Sequence, residues 1–204
     1  MLTLYYARGA CSMAAHILLE ESGQPYETHV LDLHAGEQRS EAYLKINPQG
    51  RVPALQIDSG EIITENTAIL PYLGRRFGLW PADPMAKTRA LSLIGFFAAS
   101  VHPAHAHVGR PERYASDAAC HPTIKETGLK AFHDYLKQID GRLAGRQWFG
   151  DQYSVLDPYG FVFYTWGARR GLPMQELTHY SAFKDRMMQR PAVQRVVAEE
   201  KVKL

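Results

Sequence analysis

Cys11 and Ser12 are the first residues of this 204-residue chain whose types and position could do chemistry. A short apolar, aromatic-rich strand pattern over Leu2–Tyr6 breaks at Arg8 and Gly9, and a helical pattern follows over residues 12–21, so Cys11 lies near a helix N-terminus. Unpaired backbone N–H groups and the helix dipole favour the thiolate there, which predicts a nucleophile near neutral pH. The alternative is a small buried cysteine that packs like alanine.

Two further stretches have the residue types of a small-molecule site. Val52 and Pro53 stand at the start of a strand pattern, where a proline is either tolerated because it cannot donate to the ladder or forms a special turn with a cis bond. Thr64, Glu65 and Asn66 open a helical pattern. Thr64 or Asn66 can cap that helix, while Glu65 either favours the helix dipole or accepts a ligand's ammonium group.

Three histidines lie close together at His102, His105 and His107, which raises the question of a metal site. On a helix, residues 102 and 105 share a face while 107 drifts away, and no Cys, Asp or Glu lies within the cluster. We therefore predict that these imidazoles line a cleft and that the protein holds no metal.

The elements that must position these residues divide the chain in two. A strand, a helix and a second strand over residues 26–33 form a β-α-β unit, a loop and helical turn follow, and two apolar runs around residues 58–60 predict a hairpin before a helix over 68–77. Beyond a linker rich in Pro and Gly, only helical spacing occurs, over 85–108, 121–143, 155–171, 181–190 and 191–202. We predict an α/β domain over 1–78, a linker over 79–86 and an all-helical domain over 87–204.

Composition narrows the class of protein. With 46% hydrophobic and 22% charged residues and a net charge of +2, the chain has the composition of a soluble globular protein without the basic stripe of a nucleic-acid binder. We find neither a run of membrane-span length nor a signal-peptide pattern. Cys11 and Cys120 are too sparse for a disulfide framework, so we expect free thiols in a reducing, cytoplasmic setting.

The order of these motifs resembles that of a glutathione S-transferase, and most that of the bacterial beta class. The residues that carry the resemblance are Tyr5, Tyr6, Cys11, Ser12, Asn47 to Pro53, Thr64 to Asn66, Gly150, Asp151 and Ser154 to Asp157. The resemblance implies a thioredoxin-like first domain with Val52 and Pro53 as its cis-proline corner. It also implies glutathione as co-substrate, a hydrophobic electrophile as second partner, and a homodimer.

Site residues follow from the same resemblance. Cys11 would contact the glutathione sulfur, with Ser12 as a second donor or as a helix cap. Val52 would pair main chain to main chain with the cysteinyl part, flanked by Arg51 and Pro53. Glu65 and Asn66 would hold the γ-glutamyl end. His102 matches a cleft histidine of the beta class, and Tyr5 matches a tyrosine of other classes, although it is expected to face the core.

The resemblance leaves two functions open. The first is an enzyme that conjugates glutathione to electrophiles, or exchanges thiols and disulfides through Cys11, with no resolving thiol at residue 14. The second is a glutathione-binding or regulatory protein with little turnover. The chain departs from the family pattern at Pro103, which stands where the family has a lysine, at Gly95 in place of an asparagine, and at residues 34–36, which lack a basic residue.

Overall fold

β1 (Leu2–Tyr6) is a central strand of a four-stranded sheet in the computed structural model, which describes residues 1–204. β2 (Tyr26–Val30) pairs with β1 in parallel, and β3 (Ala54–Gln56) pairs with it antiparallel. β4 (Ile62–Thr64) completes the hairpin with β3, so the strand order is β2-β1-β3-β4. The predicted β-α-β unit and hairpin are therefore confirmed, and they form a thioredoxin-like sheet.

The second strand ends earlier than predicted. It stops at Val30 because Asp32 begins a turn in which its carboxylate accepts hydrogen bonds from the N–H groups of His34 and Ala35, at 2.8 and 3.1 Å. These local bonds give the backbone an alternative to continuing the ladder. A short helical turn, α2 (Glu41–Leu44), follows.

Helix α1 (Met13–Glu21) lies at the centre of the molecule. Every residue from Met13 to Leu19 is buried, because α1 packs against α3 (Asn66–Phe77) and also against two helices of the second half. A helix that is apolar on all sides is buried on all sides. The loop that leads into α1 is consequently held in place from both halves of the chain.

The chain beyond Phe77 contains helices and no strand. They are α4 (Pro84–Phe96), α5 (His102–Gly109), α6 (His121–Leu143), α7 (Leu156–Arg169), α8 (Thr178–Met188) and α9 (Pro191–Glu199). A π-helical segment, Phe97–Val101, joins α4 to α5. Helix α4 begins within the predicted linker, because the Asp83 carboxylate accepts the N–H of Ala86 at 2.7 Å and caps it. The division at 79–86 stays a prediction.

Ser154 and Asp157 have the three-residue spacing of a capping box, with Asp in place of Glu, and they cap the start of α7. Asp157 accepts hydrogen bonds from the N–H groups of Ser154 and Phe149, at 2.7 and 3.0 Å, and the Ser154 hydroxyl accepts from the N–H of Leu156 at 3.3 Å. Burial raises the pKa of Asp157 to about 7, in spite of these bonds. The residues of α7 from Leu156 to Gly167 are buried, which fixes the helix across the core. No helix is both long and apolar enough to cross a membrane.

Candidate active site

A cavity of about 1070 Å³ opens between the sheet domain and the helices that follow. It is lined by most of the predicted site residues: Cys11, Arg51, Val52, Pro53, Glu65, Asn66 and His102. Tyr5 and Ser12 are not among its lining residues. The two exceptions follow from the local structure around them.

The Ser12 side chain forms its hydrogen bonds within the loop that carries Cys11. Its hydroxyl accepts the N–H of Ala7 and donates to the carbonyl of the same residue, both at 3.2 Å, and its side chain is completely buried. It makes no side-chain hydrogen bond to the start of α1. Ser12 therefore does not cap α1 as predicted, while its donation to a bound sulfur stays a prediction. Its hydroxyl closes the loop from Ala7 to Ser12 instead.

Tyr5 lies outside the cavity. Its ring stacks on His29 with the centroids 5.0 Å apart and tilts against Tyr43 at 6.0 Å. Side chains alternate between the faces of a strand, so Tyr5 points away from its neighbours Leu4 and Tyr6. That Tyr5 binds glutathione stays a prediction, and the half-buried ring packs against the sheet and α2.

Distant residues hold the loop before Cys11. The N–H of Gly9 donates to Glu200 Oε2 at 2.8 Å, and Trp166 Nε1 donates to the Gly9 carbonyl at 2.9 Å. The other carboxylate oxygen of Glu200 bonds to His16 Nδ1 at 2.8 Å. Gly9 has a φ of +63°, which a residue with a side chain rarely adopts. Sequence reasoning missed Glu200, Trp166 and His16, because no local pattern marks residues that meet only through folding.

The Cys11 thiol is protonated in the free protein. Sγ lies 3.4 Å from the Val52 carbonyl oxygen, to which the thiol donates. Burial, followed by the charge of Glu65, raises the pKa of Cys11 to about 12, although backbone N–H groups of Cys11 and Ser12 act in the opposite direction. The expected thiolate near neutral pH is thus wrong for the free protein, because desolvation outweighs the helix start.

The peptide bond between Val52 and Pro53 is cis, as the family resemblance implies. The loop is held from behind by hydrogen bonds to the Arg51 carbonyl, from the Tyr43 hydroxyl at 2.6 Å and from Asn47 Nδ2 at 2.7 Å. The ladder of β3 begins after Pro53, so the main chain of Val52 belongs to no strand pair. Val52 therefore has main-chain groups available beside Cys11.

Glu65 and Asn66 lie at the start of α3. Glu65 has a φ of +69°, in the left-handed region, and its exposed side chain makes no capping hydrogen bond. Asn66 is buried, and its Nδ2 donates to the Cys11 carbonyl at 2.9 Å while its Oδ1 has no partner. Neither Thr64 nor Asn66 caps the helix as predicted. Asn66 instead ties the start of α3 to the loop of Cys11, and Glu65 lines the cavity with its carboxylate unpaired.

The three histidines have different surroundings. His102 lines the cavity edge-on to Trp166, with the ring centroids 4.9 Å apart, and burial together with the charge of Arg51 lowers its pKa to about 4. His105 stacks on Trp166 at 4.2 Å and accepts a hydrogen bond from Arg170 Nε at 3.2 Å. His107 donates to a backbone carbonyl of its own helix. The structure contains no group of three His, Cys, Asp or Glu placed to hold a metal ion.

This arrangement defines a class of protein. A thioredoxin-like sheet places one cysteine beside a cis-proline loop and a helix start, and an all-helical part supplies the facing wall. Cys11 can meet the sulfur of a small thiol, Val52 can pair with an extended peptide, and Glu65 can pair with an ammonium group. These are the elements of a site for a peptide thiol.

Comparisons with known proteins give the family. Residues 1–75 match the model of the glutathione S-transferase N-terminal domain. The chain is 30% identical to glutathione S-transferase GstA of Escherichia coli O157:H7, over 98% of this chain and 99% of that protein. It is 33% identical to glutathione S-transferase GST-4.5 of Xanthomonas campestris pv. campestris, over 97% and 98%. The chain therefore belongs to the glutathione S-transferase family.

Solved structures agree with this assignment. A glutathione transferase homologue from Sulfitobacter with bound glutathione superposes with a TM-score of 0.93 at 30% identity, covering 100% of this chain and 99% of that one. A bacterial beta-class glutathione S-transferase from Sphingomonas chungbukensis has a TM-score of 0.86 at 31% identity, covering 98% and 100%. The fold is thus that of the family over the whole chain.

Proposed function

We propose that this protein binds glutathione in the cavity and conjugates its sulfur to an electrophilic small molecule. One observation carries the proposal: the Cys11 thiol lies 3.4 Å from the carbonyl of Val52, on the same cavity wall as the start of α3. The thiol can contact the sulfur of an extended peptide thiol, the free main-chain segment can pair with its backbone, and the unpaired carboxylate can bind its ammonium group. The Sulfitobacter homologue was solved with that ligand, which supports the same role here.

The pose follows from these contacts. The cysteinyl main chain of glutathione pairs with Val52, its γ-glutamyl ammonium group pairs with Glu65, and its γ-glutamyl carboxylate accepts N–H groups at the start of α3. The glycyl carboxylate then extends past Val52 toward Arg51, whose exposed side chain lines the cavity. This assignment gives Arg51 the role of the basic residue that is missing at residues 34–36.

Cys11 acts in this proposal as a hydrogen-bond donor. Its protonated thiol turns from the Val52 carbonyl to the glutathione thiolate and stabilises that charge, which lowers the pKa of the bound glutathione thiol. The thiolate attacks the electrophilic carbon, a C–S bond forms, and the leaving group departs with the electron pair of its bond. The proton of glutathione has by then passed to solvent.

Thiol–disulfide exchange is a second candidate, because the Cys11 thiol lines the cavity. No second thiol lines the cavity with it. Cys120 is exposed and does not line it. Attack of Cys11 on glutathione disulfide would release one glutathione thiolate and leave a mixed disulfide, which a second glutathione must cleave. The raised pKa of Cys11 keeps the fraction of attacking thiolate low. We therefore expect exchange to be slower than conjugation.

Turnover distinguishes the enzyme from a protein that only binds glutathione. Calorimetry measures glutathione binding, and absorbance follows conjugation with 1-chloro-2,4-dinitrobenzene and reduction of a small mixed disulfide. We expect binding together with conjugation. Binding without either reaction would favour the regulatory alternative, and the absence of binding would overturn the site itself.

We also propose that the protein is a homodimer, acts in the cytoplasm and serves in detoxification, as the family resemblance implies. The exposed apolar side chains of Met85 and Leu91 on α4 support a covered surface in an assembly. Light scattering after gel filtration, over a range of protein concentrations, measures the oligomeric state. A mass of one chain at every concentration would contradict the dimer.

A further inference from the structure

The wall of the cavity that the helices provide is rich in arginine. Arg110 follows α5 and Arg113 ends the short turn after it, while Arg169 and Arg170 lie at the C-terminal end of α7. All four line the cavity, as do Arg8 and Arg51 from the other wall. A cavity meant only for an apolar molecule needs no such concentration of positive charge.

None of these four arginines is in an ion pair of the structure. Arg170 Nε donates to His105 Nε2 at 3.2 Å, and Arg169 Nη1 reaches the Gly9 carbonyl at 3.5 Å, so both are held by neutral groups. Arg110 and Arg113 make no side-chain hydrogen bond that would neutralise them. No carboxylate of the protein therefore lies within ion-pair distance of these four guanidinium groups.

The acidic residues that line the cavity do not supply a partner for them. The Asp32 carboxylate accepts two N–H groups of its own turn, and Glu37 Oε2 accepts the N–H of Asp32 at 2.7 Å. Glu65 belongs to the opposite wall, where the proposed pose assigns it to the ammonium group of glutathione. The glycyl carboxylate in that pose uses Arg51, which leaves the four arginines of the helical wall free.

Like charges held close together oppose one another. Burial, followed by the charges of Arg110 and Arg51, lowers the pKa of Arg113 against the opposing charge of Glu112, and burial, followed by the charge of Arg170, lowers the pKa of Arg169. A bound anion would relieve this repulsion, and the planar guanidinium group fits a carboxylate or another oxyanion with two parallel hydrogen bonds. The half-buried Ala98, Pro103 and Ala106 line the same cavity, so an apolar body has surfaces to contact.

We propose that the second substrate is an anionic electrophile, whose aromatic or unsaturated body lies beside Cys11 while its carboxylate or other oxyanion is held by the arginines of the helical wall. The inference rests on the proposed conjugation and names its substrate class. In the test reaction, the glutathione sulfur forms a bond to the aromatic carbon that carries chloride, and chloride leaves with the electron pair of the broken C–Cl bond. The anionic group takes no part in bond exchange and serves only for binding.

A matched pair of substrates tests the proposal. 4-Chloro-3,5-dinitrobenzoate carries a carboxylate, and 4-chloro-3,5-dinitrobenzotrifluoride replaces it with a neutral trifluoromethyl group that withdraws electrons more strongly, so the uncatalysed rates must be measured for both. After division by the uncatalysed rates, we expect kcat/KM to favour the benzoate by about tenfold or more, in line with one charge-assisted bidentate pair. About 0.3 M KCl should reduce this preference, because salt screens the attraction.

Variants assign the preference to the arginines. Arg113→Gln and Arg170→Gln should each lower kcat/KM for the benzoate by about tenfold, in line with the loss of one charge-assisted pair, and should change that for the neutral substrate less than twofold. Arg146→Gln, which lies outside this cavity, is the matched control. Circular dichroism verifies that the variants fold, and Arg113 is exposed, so its replacement disturbs little packing.

Three results would overturn the inference. Equal losses with both substrates would give the arginines a structural role, and a raised KM for glutathione alone would assign them to its glycyl carboxylate. Equal normalised rates of wild type with both substrates would exclude an anion preference. If neither substrate reacts, the proposed conjugation fails, and calorimetry with the two preformed glutathione conjugates then tests the anion site alone, with tighter binding of the carboxylate conjugate expected.

Discussion

The two walls of the cavity differ in what carries their chemistry. The thioredoxin-like wall offers a thiol, a free main-chain segment and a helix start, and its backbone is fixed by hydrogen bonds from Tyr43, Asn47 and Asn66. The helical wall offers long arginine side chains without ion pairs, supported by histidine and tryptophan rings. A wall built on backbone geometry suits a constant ligand, whereas one built on side chains can differ between relatives without loss of the fold.

The largest expected effect is the loss of conjugation activity when the thiol of the thioredoxin-like wall is removed. Cys11→Ala removes the donor to the glutathione thiolate, so we expect kcat/KM for conjugation to fall about 30-fold, which corresponds to roughly 2 kcal/mol for a hydrogen bond to a charged group. Cys11→Ser keeps an O–H donor and should lose less than tenfold. Steady-state kinetics measures both.

Cys120→Ala is the matched control, since Cys120 is exposed and does not line the cavity. After incubation with glutathione disulfide, peptide mass mapping should find one glutathione on Cys11 in wild type and in this control, and none at residue 11 in either Cys11 variant. Full conjugation activity in Cys11→Ala would show that the thiol is not a donor in the reaction.

The next effect concerns the support that joins the two halves behind Cys11. Glu200→Ala leaves the N–H of Gly9 and the ring of His16 without their buried acceptor, so we expect the free energy of unfolding to fall by about 2 kcal/mol. Glu200→Gln can accept from Gly9 and donate to His16, so it should recover most of the loss. Urea unfolding measures these values, with the exposed Lys203→Ala as control. Equal losses in the two Glu200 variants would exclude this hydrogen-bonded role.

A smaller effect, on glutathione binding and not on the chemical step, is expected for Glu65 on the same wall. Glu65→Gln removes the partner of the γ-glutamyl ammonium group, so the KM for glutathione should rise about fivefold to tenfold while kcat changes little. Glutathione acetylated at that amine should bind wild type and Glu65→Gln equally. Glu61→Gln, in the β3–β4 turn outside the cavity, is the control. An unchanged KM would remove Glu65 from the binding site.

The smallest expected effect is a pH dependence of the free energy of unfolding, which comes from a histidine of the helical wall. Burial, followed by the charges of Arg170 and Arg169, lowers the pKa of His105 to about 3, so the unfolded chain binds a proton below about pH 6.5 that the folded protein does not. The contribution of neutral His105 to the free energy of unfolding is therefore fully present above about pH 6.5, and it is lost as the pH falls. We expect roughly 1 kcal/mol more loss between about pH 7.5 and 5.5 in wild type than in His105→Gln, measured by urea unfolding. His102 titrates in the same window, so part of the slope should remain; an unchanged slope would contradict the assignment.

Local sequence patterns determined much of this protein. A short apolar, aromatic-rich run predicted β1, and two apolar runs around a turn predicted the hairpin. The spacing of Ser154 and Asp157 likewise encodes the cap of α7, because each of these features depends on residues that are close in sequence. The placement of Cys11 before a helix followed from the same local signals. The cis bond before Pro53 and the shared cavity came from the resemblance to the family, which carries information that no single pattern holds.

Tertiary structure alone decided the rest. Glu200 and Trp166 reach Gly9 across separations of 191 and 157 residues, and no local propensity encodes such contacts. The protonation state of Cys11 depends on burial among both halves, which overrides the dipole of the helix start that the sequence displays. The arginines of the helical wall are scattered in sequence and gather only when α5 and α7 pack at one cavity. Sequence fixes which groups a segment carries, whereas desolvation and charge proximity arise only from packing.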